Sequence, residues 1–453
     1  HNYIPSPYTI YDNCFKLPAA KYLIFDLNNF KLKRHISFND LINSKGVIYN
    51  SYWSLNINNH NKNLLSSNIK TENLINLFEN QIEKSVEKQL ISDVPLGAFL
   101  SGGIDSSLIV ALMQKKQKNT KTFTIGFDFD NYDESNYANK ISKHLETEHT
   151  SYNCSKKDVL NLIPNLNKAF TEPFADCSQL PTMLVSKIAS NYVKVVLSGD
   201  GGDELFCGYN RYILANKYWK YIDKIPKSLL KLFSKSLLKF PYKDKRLEKI
   251  LIKLNKIDSK FTFYESLTSE WDDESNIISD IPSNNLKYIH LFDKLSNLKF
   301  EDAMMYSDFN TYLPDDILCK VDRSSMFYSL EARAPFLDKD LIELAFSLPL
   351  SFKIRNGKSK WVLKKILEKY VPEKLFNRPK HGFGVPISEW MRTDLKDWVN
   401  DNLSESVCKK HNFFNYKVIE KTKKEHFNGN YNHELKLWSL LQFNQWYLEN
   451  FNN

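Results

Sequence analysis

The chain is poor in the residues that staple or punctuate small folds, with 13 glycines and six cysteines in 453 residues. The cysteines stand at 14, 154, 177, 207, 319 and 408, and none forms a C-x-x-C pair. That scatter excludes a disulfide framework or a zinc ribbon and suits buried free thiols in a reducing cytoplasm. No run of about eighteen apolar residues without a charge occurs, so no helical membrane span is expected. No signal-peptide pattern opens the chain, and its first residue is His1, as expected of a truncated or processed amino terminus. The G-x-G-x-x-G, G-x-x-x-x-G-K-[ST] and H-E-x-x-H patterns are all missing, which removes the dinucleotide fold, the P-loop and the zinc-protease helix. His144 and His149 do not share a helix face, and His381 beside Lys380 is the one histidine of interest.

What is present suits a large globular chain. Hydrophobic residues make up 42% and aromatics 14%, enough for a sizeable core, and the length calls for two or three domains. The net charge of +9 is uneven. Residues 217–260 hold fourteen Lys plus Arg against four Asp plus Glu, a surplus of 10, so the remainder is nearly neutral. Leu229, Leu230, Leu232, Phe233, Leu237, Leu238, Ile250, Leu251 and Leu254 recur there at helical spacing. The stretch is expected to form amphipathic helices with a basic solvated face; a nucleic-acid or acidic-partner patch is the alternative.

Residues 1–55 hold Pro5, Pro7, Pro18 and short β-like runs at 22–25 and 47–49, the pattern of closing strands of a β-rich domain. An Asn- and Ser-rich linker over 56–68 follows, then one long unit over 69–453. That unit opens with an amphipathic helix over 69–90 whose buried side carries Leu74, Leu77, Phe78, Ile82 and Val86. Strands are expected at 98–100, 122–127, 148–152 and 193–197, alternating with helices at 106–114, 134–145, 156–170 and 180–191. This is an α/β order, with a parallel twisted sheet covered by helices on both faces and ligands at the carboxyl ends of the strands. Beyond Tyr209 the chain reads as helical, with loops at 271–286 and 374–388.

Two strand-end loops carry the chemistry. The first is Phe99-Leu100-Ser101-Gly102-Gly103-Ile104-Asp105-Ser106-Ser107. Adjacent glycines permit a tight turn, successive N–H groups form an anion nest, and the helix amino terminus adds positive potential. Ser101, Ser106 and Ser107 offer hydroxyl donors. Asp105 among phosphate donors calls for a cation between carboxylate and phosphate, Mg²⁺ first; otherwise it is an N-cap in a plain turn. The second loop, Ser198-Gly199-Asp200-Gly201-Gly202-Asp203-Glu204, packs three carboxylates and three glycines into six residues after an apolar strand. Such a cluster repels itself unless a cation compensates, and Asp203 can share a metal with Asp105.

S-G-G-I-D-S-S and V-V-L-S-G-D-G-G-D-E-L-F-C-G-Y resemble the ATP-pyrophosphatase loops of bacterial asparagine synthases. Tyr132 to Ser135, Glu172 to Asp176 with Ser178, Tyr312 to Leu318, Lys320 to Arg323, Ser329 to Asp338 and Arg378 to Phe383 are similar to further motifs of that family. Residues 1–55 resemble the end of its Ntn-type glutaminase domain, through Ile4 to Pro7, Thr9-Ile10, Lys16 to Pro18 and Tyr52-Trp53. The nucleophilic cysteine of that domain is not among these residues, so the chain as given is not expected to hydrolyse glutamine; free ammonia or a longer protein would supply nitrogen.

The resemblance implies an adenine nucleotide alpha hydrolase-like fold in which ATP adenylates aspartate with loss of pyrophosphate, and ammonia then gives asparagine and AMP. It assigns Leu100, Ser101, Gly102, Gly103, Asp105, Ser106, Ile125, Ser198 and Gly199 to ATP and pyrophosphate, with Leu100 and Ile125 against adenine. Asp105 and Asp203 would hold Mg²⁺. Asp200 would serve adenylate formation and Lys380 the α-phosphate or pyrophosphate. Glu204 would accept a proton from ammonia or position it, or else pack against Arg211 or Lys320. Asp322, Arg323, Glu331 and Arg333 are either ion pairs or substrate contacts. The expected partners are ATP, aspartate and ammonia or glutamine in a cytoplasmic enzyme, with neither nucleic acid nor membrane and with a homodimer left open. The same loops would serve other carboxylates, giving amidated surface polysaccharides or β-lactams, and an RNA-modifying ligase of the same fold draws support from the basic stretch alone.

Overall fold

The computed structural model describes residues 2–31, 36–56, 70–127, 133–238, 240, 245–271 (backbone alone at 245 and 246), 277–278, 295, 297–377 and 384–451. Strands β1 (Lys21–Phe25) and β2 (Val47–Ser51) form an antiparallel pair, with Lys21 opposite Ser51 and Phe25 opposite Val47. A second sheet holds β3 (Leu96–Phe99), β4 (Lys121–Phe127), β5 (Glu148–Cys154), β6 (Val195–Leu197) and β7 (Glu331–Arg333). Its order is β5-β4-β3-β6-β7, and every neighbouring pair is parallel. The helices that position it are α1 (Thr71–Gln89), α2 (Ile104–Lys116), α3 (Ser135–Leu145), α4 (Gln179–Ala189), α5 (Gly202–Leu205) and α6 (Asn210–Ile222). They continue with α7 (Lys227–Leu238), α8 (Lys245–Lys256), α9 (Phe300–Asn310), α10 (Cys319–Met326), α11 (Trp361–Leu367) and α12 (Glu434–Phe451). The expected α/β order with a helical second half is therefore observed.

Strand periodicity places an apolar core on each face of the sheet. Phe123, Ile125 and Phe127, two residues apart on β4, join Val196, α4 and α12 in one cluster. Ala98, Leu100 and Leu197 join α1, α2, α9 and α11 in the other. On α1, Phe78, Ile82 and Val86 recur every fourth residue and are fully buried, each contributing about 2 kcal/mol. Leu77, expected on that face, is instead exposed.

Three further expectations change. The single helix over 156–170 breaks into a helix at Lys156–Leu160, a 3-10 turn at Ile163–Asn165 and a short helix at Leu166–Ala169. Pro164 sits at the first turn of the middle piece and cannot donate the bond that would continue the first helix. The second half contributes a strand, β7, which pairs with β6. The expected loop at 374–388 is partly helical, at Glu373–Phe376 and from Ile387. Among the described residues, no helix is long and apolar enough to cross a membrane.

One core residue opposes the packing. Lys353 is fully buried, with its ammonium 3.8 Å from Met305 Sδ and 5.5 Å from the Phe346 ring centre. Burial lowers its pKa from the ordinary 10.5, and the field of Asp302 offsets this only in part. A lysine with a lowered folded value binds fewer protons folded than unfolded at high pH. Native stability should therefore rise as pH climbs through that value towards 10.5. Lys353→Met should stabilise the neutral-pH protein by roughly 1–3 kcal/mol and flatten that rise, as read by denaturant unfolding across pH.

Candidate active site

The strand order reverses between β3 and β6, since β3 is followed in sequence by β4 on its far side. Loops leaving the carboxyl ends of two parallel strands at such a point border one crevice. Here they touch. A Cβ on Gly202 would lie 2.6 Å from Asp105 Oδ1 and 2.8 Å from its Cγ, so the second loop closes on the first only without a side chain there. Gly102, at φ +74°, makes the left-handed turn expected of the S-G-G sequence. The serine hydroxyls, expected to face phosphate, also fasten this turn to itself. Ser101 Oγ and Ser106 Oγ are 3.0 Å apart, and Gly103 N donates to Ser101 Oγ at 3.3 Å.

Asp105 and Asp203 do converge, and the cation between them is Lys360. Its Nζ lies 2.6 Å from Asp203 Oδ1 and bonds Asp105 Oδ2 directly. Lys360 is 3% exposed and holds φ +55° just before α11, where its N–H donates to Phe206 O at 3.2 Å. Burial works against its charge, but Asp105 and Asp203 outweigh that and hold its pKa above the ordinary value. Lys360 was not singled out in the sequence, where it is one of many lysines. The available signal was the unbalanced charge of the two loops. Lys380, the cation expected from the resemblance, and His381 lie outside the described residues. Two carboxylates meeting at one point suit a divalent ion whose other ligands are phosphate oxygens and water. Among the described residues, no three His, Cys, Asp or Glu gather to hold a metal by themselves.

Asp200 borders a cavity of about 330 Å³ with Ser198, Leu318, Val321, Asp322 and Leu337. Burial raises its pKa, Lys320 and the Ser198 hydroxyl oppose this, and Asp203 and Asp105 add to it. Lys320 reaches Asp176 Oδ2 at 2.9 Å and Ser178 Oγ at 2.8 Å. Glu204 is 1% exposed and accepts from Tyr209 Oη at 2.5 Å. Burial, then Asp203, pushes its pKa up to about 7. Neither alternative partner reaches Glu204 as an ion pair. Arg211 Nε donates to Asp308 Oδ2 at 3.0 Å, its guanidinium stacks 3.9 Å over Tyr209, and Lys320 is taken by Asp176.

Other expected residues separate. Leu100 and Ile125 are buried in the two different apolar clusters. Ser198 is buried and Gly199 half-buried at the end of β6. Arg333 pairs with Glu331 at 2.7 Å and donates to the carbonyls of Gln89 and Ile91 at 2.7 and 2.8 Å. These two charged residues therefore brace β7. Asp322 lines the cavity.

Removing the ammonium should leave two facing carboxylates without compensation. Lys360→Met should destabilise the chain by roughly 3–5 kcal/mol, and adding Asp105→Asn and Asp203→Asn should recover much of that loss, as read by denaturant unfolding.

The family profile described as asparagine synthase matches residues 77–448. "Asparagine synthetase [glutamine-hydrolyzing] 1" of Bacillus subtilis (strain 168) is 32% identical over 83% of this chain and 59% of its own length. "Putative asparagine synthetase [glutamine-hydrolyzing] 2" of Methanocaldococcus jannaschii is 36% identical over 72% and 59%. A putative asparagine synthetase of Mycobacterium bovis is 31% identical over 81% and 56%. The chain thus spans somewhat more than half the length of these relatives. The profile covers both strand-end loops and the helix that brings Lys360 to them, and the chain belongs to the asparagine synthase family.

Proposed function

We propose that this chain catalyses ATP-dependent amide formation, adenylating the side chain of aspartate and passing the acyl group to ammonia. The observation that carries the reading is the meeting of Asp105, Asp203 and a buried cation where the strand order reverses. An aspartate carboxylate oxygen would attack the α-phosphorus of ATP and pyrophosphate would leave. Ammonia nitrogen would then bond the acyl carbon, AMP would leave, and the surplus proton would pass to Glu204. A carboxylate approaching a triphosphate meets like charge, so the site must neutralise it. Mg²⁺, held by Asp105 and Asp203, would supply positive charge on the phosphates.

The chain's own residues do the rest. The start of α2, just after the S-G-G turn, would offer its N–H groups to anionic oxygens. Lys360 keeps the two carboxylates aimed at one point. Asp200, on the cavity wall, would serve adenylate formation. Lys380 supplies a further cation for the leaving pyrophosphate. Residues 1–55 are read as the end of a glutaminase domain, 56–68 as a linker and 69–453 as the synthetase unit. In a longer protein glutamine would be the source of the ammonia, and the relatives carry glutamine hydrolysis in their names.

ATP–pyrophosphate exchange tests the reading. Aspartate should stimulate it above a panel of other carboxylates, and Asp105→Asn and Lys380→Ala should each lower it about 100-fold or more with the fold retained. Exchange driven by another carboxylate would move the substrate and keep the chemistry. Near-normal exchange in either variant would remove that residue from its role.

A further inference from the structure

The basic stretch departs from its expected form. Leu230, Ser234 and Leu251 turn inward on α7 and α8, and Ser234 Oγ contacts Asn255 Oδ1 across the two helices at 3.4 Å. Other apolar side chains of these helices stay open. On α7, Leu229, Leu232 and Phe233 stand at i, i+3 and i+4, with Leu232 64% and Phe233 62% exposed. On α8, Leu247 and Ile250 are exposed, one turn apart. Tyr218 and Tyr221 form the same kind of stripe on α6. Of the 28 large hydrophobic residues exposed among the described residues, ten fall within 214–250. This segment also overlaps the +10 surplus of residues 217–260.

Single exposed leucines need no explanation, but exposed apolar residues repeated at helical spacing on successive helices do. Exposed lysines at 217, 220, 235, 249 and 256 lie on the same three helices, and exposed Lys224 lies in the turn between α6 and α7. Apolar side chains on one face with Lys on the flanks is the pattern of a helix lying in a membrane interface. Nucleic acid would repay the lysines and stack on tyrosine, but it offers nothing to Leu229, Leu232 or Ile250. An acidic protein partner would repay the charge while covering the apolar stripe only if it were amphipathic in turn. An anionic bilayer answers both at once, with phosphate headgroups for the lysines and the acyl boundary for the aliphatic side chains.

We infer that α6, α7 and α8 form a peripheral docking element for anionic phospholipid bilayers, with Leu229, Leu232, Phe233, Leu247 and Ile250 entering the interface and the flanking lysines on the headgroups. Co-sedimentation with lipid vesicles tests this on the full chain. Vesicles of phosphatidylcholine with phosphatidylglycerol should carry the protein down, and vesicles of phosphatidylcholine alone should do so at least about tenfold less well. Leu232→Ser with Phe233→Ser, and separately Lys220→Glu with Lys224→Glu, should each weaken anionic-vesicle binding about tenfold or more. Both lie away from the reaction site, so circular dichroism and pyrophosphate exchange should be unchanged. Failure to bind anionic vesicles overturns the inference. So does binding that the serine pair leaves intact, which would be charge adsorption alone. Two other results would also overturn it. One is tighter binding to a single-stranded RNA oligonucleotide than to vesicles. The other is a concentration-dependent dimer, in analytical ultracentrifugation, that the serine pair dissolves.

Discussion

A single buried ammonium ties together three segments that are far apart in sequence. Lys360 bonds Asp105 at the start of α2 and Asp203 in α5, while its own N–H holds the carbonyl of Phe206. Each carboxylate alone would be costly this deep in the protein, and the two together would repel. Both strand-end loops therefore depend on the chain around residue 360 to compensate their charge. The backbone there is left-handed at a lysine, which costs about 1 kcal/mol and persists only where the surroundings fix it. Gly208 shows how tight the arrangement is, because a Cβ on it would collide with both Asp203 and Lys360. The helical second half is thus bound to the sheet by charge as well as by apolar contact.

Around this centre the remaining buried charges sort themselves by partner. Arg211 and the hydroxyls of Tyr212 and Tyr264 all converge on Asp308, and Lys320 takes Asp176. Asp316, buried beside Asp176, is pushed well above the ordinary carboxyl range by burial and then by that neighbour. The cations are thereby committed to structural carboxylates. Glu204 is left with a neutral donor and like charges nearby, and Asp200 feels Lys320 only alongside Asp203 and Asp105, so both hold their protons more firmly than free carboxylates do. A site built this way keeps proton-binding groups close to where ammonia chemistry would need them, without spending a structural ion pair on each.

The parts of this architecture that depend on local pattern were legible in the sequence. β4 and β6 are runs of Val, Phe, Ile, Thr and Leu, and the glycine-rich turns that follow β3 and β6 announce strand-end loops. The meeting of Asp105 with Asp203 was readable because six residues with three carboxylates demand compensation. The identity of the compensating lysine was not readable, since nothing local distinguishes Lys360 from its neighbours. β7 escaped notice because two of its three residues are charged, and only the edge position beside β6 and the carbonyls of Gln89 and Ile91 make Glu331 and Arg333 tolerable there. On α7 and α8 the helical period was right, but the apolar side is only partly covered: Leu230 and Leu251 turn inward while Leu229, Leu232, Phe233 and Ile250 stay exposed. Periodicity fixes which residues share a side, but tertiary packing decides which side is covered.

That distinction bears on how the site and the basic surface are related. Helix α6 begins beside Glu204, which accepts from the N-cap Tyr209, and there Arg211 and Tyr212 enter the Asp308 network. Tyr218 and Tyr221 lie towards its other end, on the open face. Thirteen helical residues span about 20 Å, and Trp219 packs this helix at 4.9 Å against Phe300 of α9. A well-packed rod of that length fixes the separation between Glu204 and the exposed stripe. Whatever covers the stripe is therefore held at a set distance from the strand ends. Its consequence for the chemistry would be one of placement, since nothing along α6 would have to move for the two ends to work together.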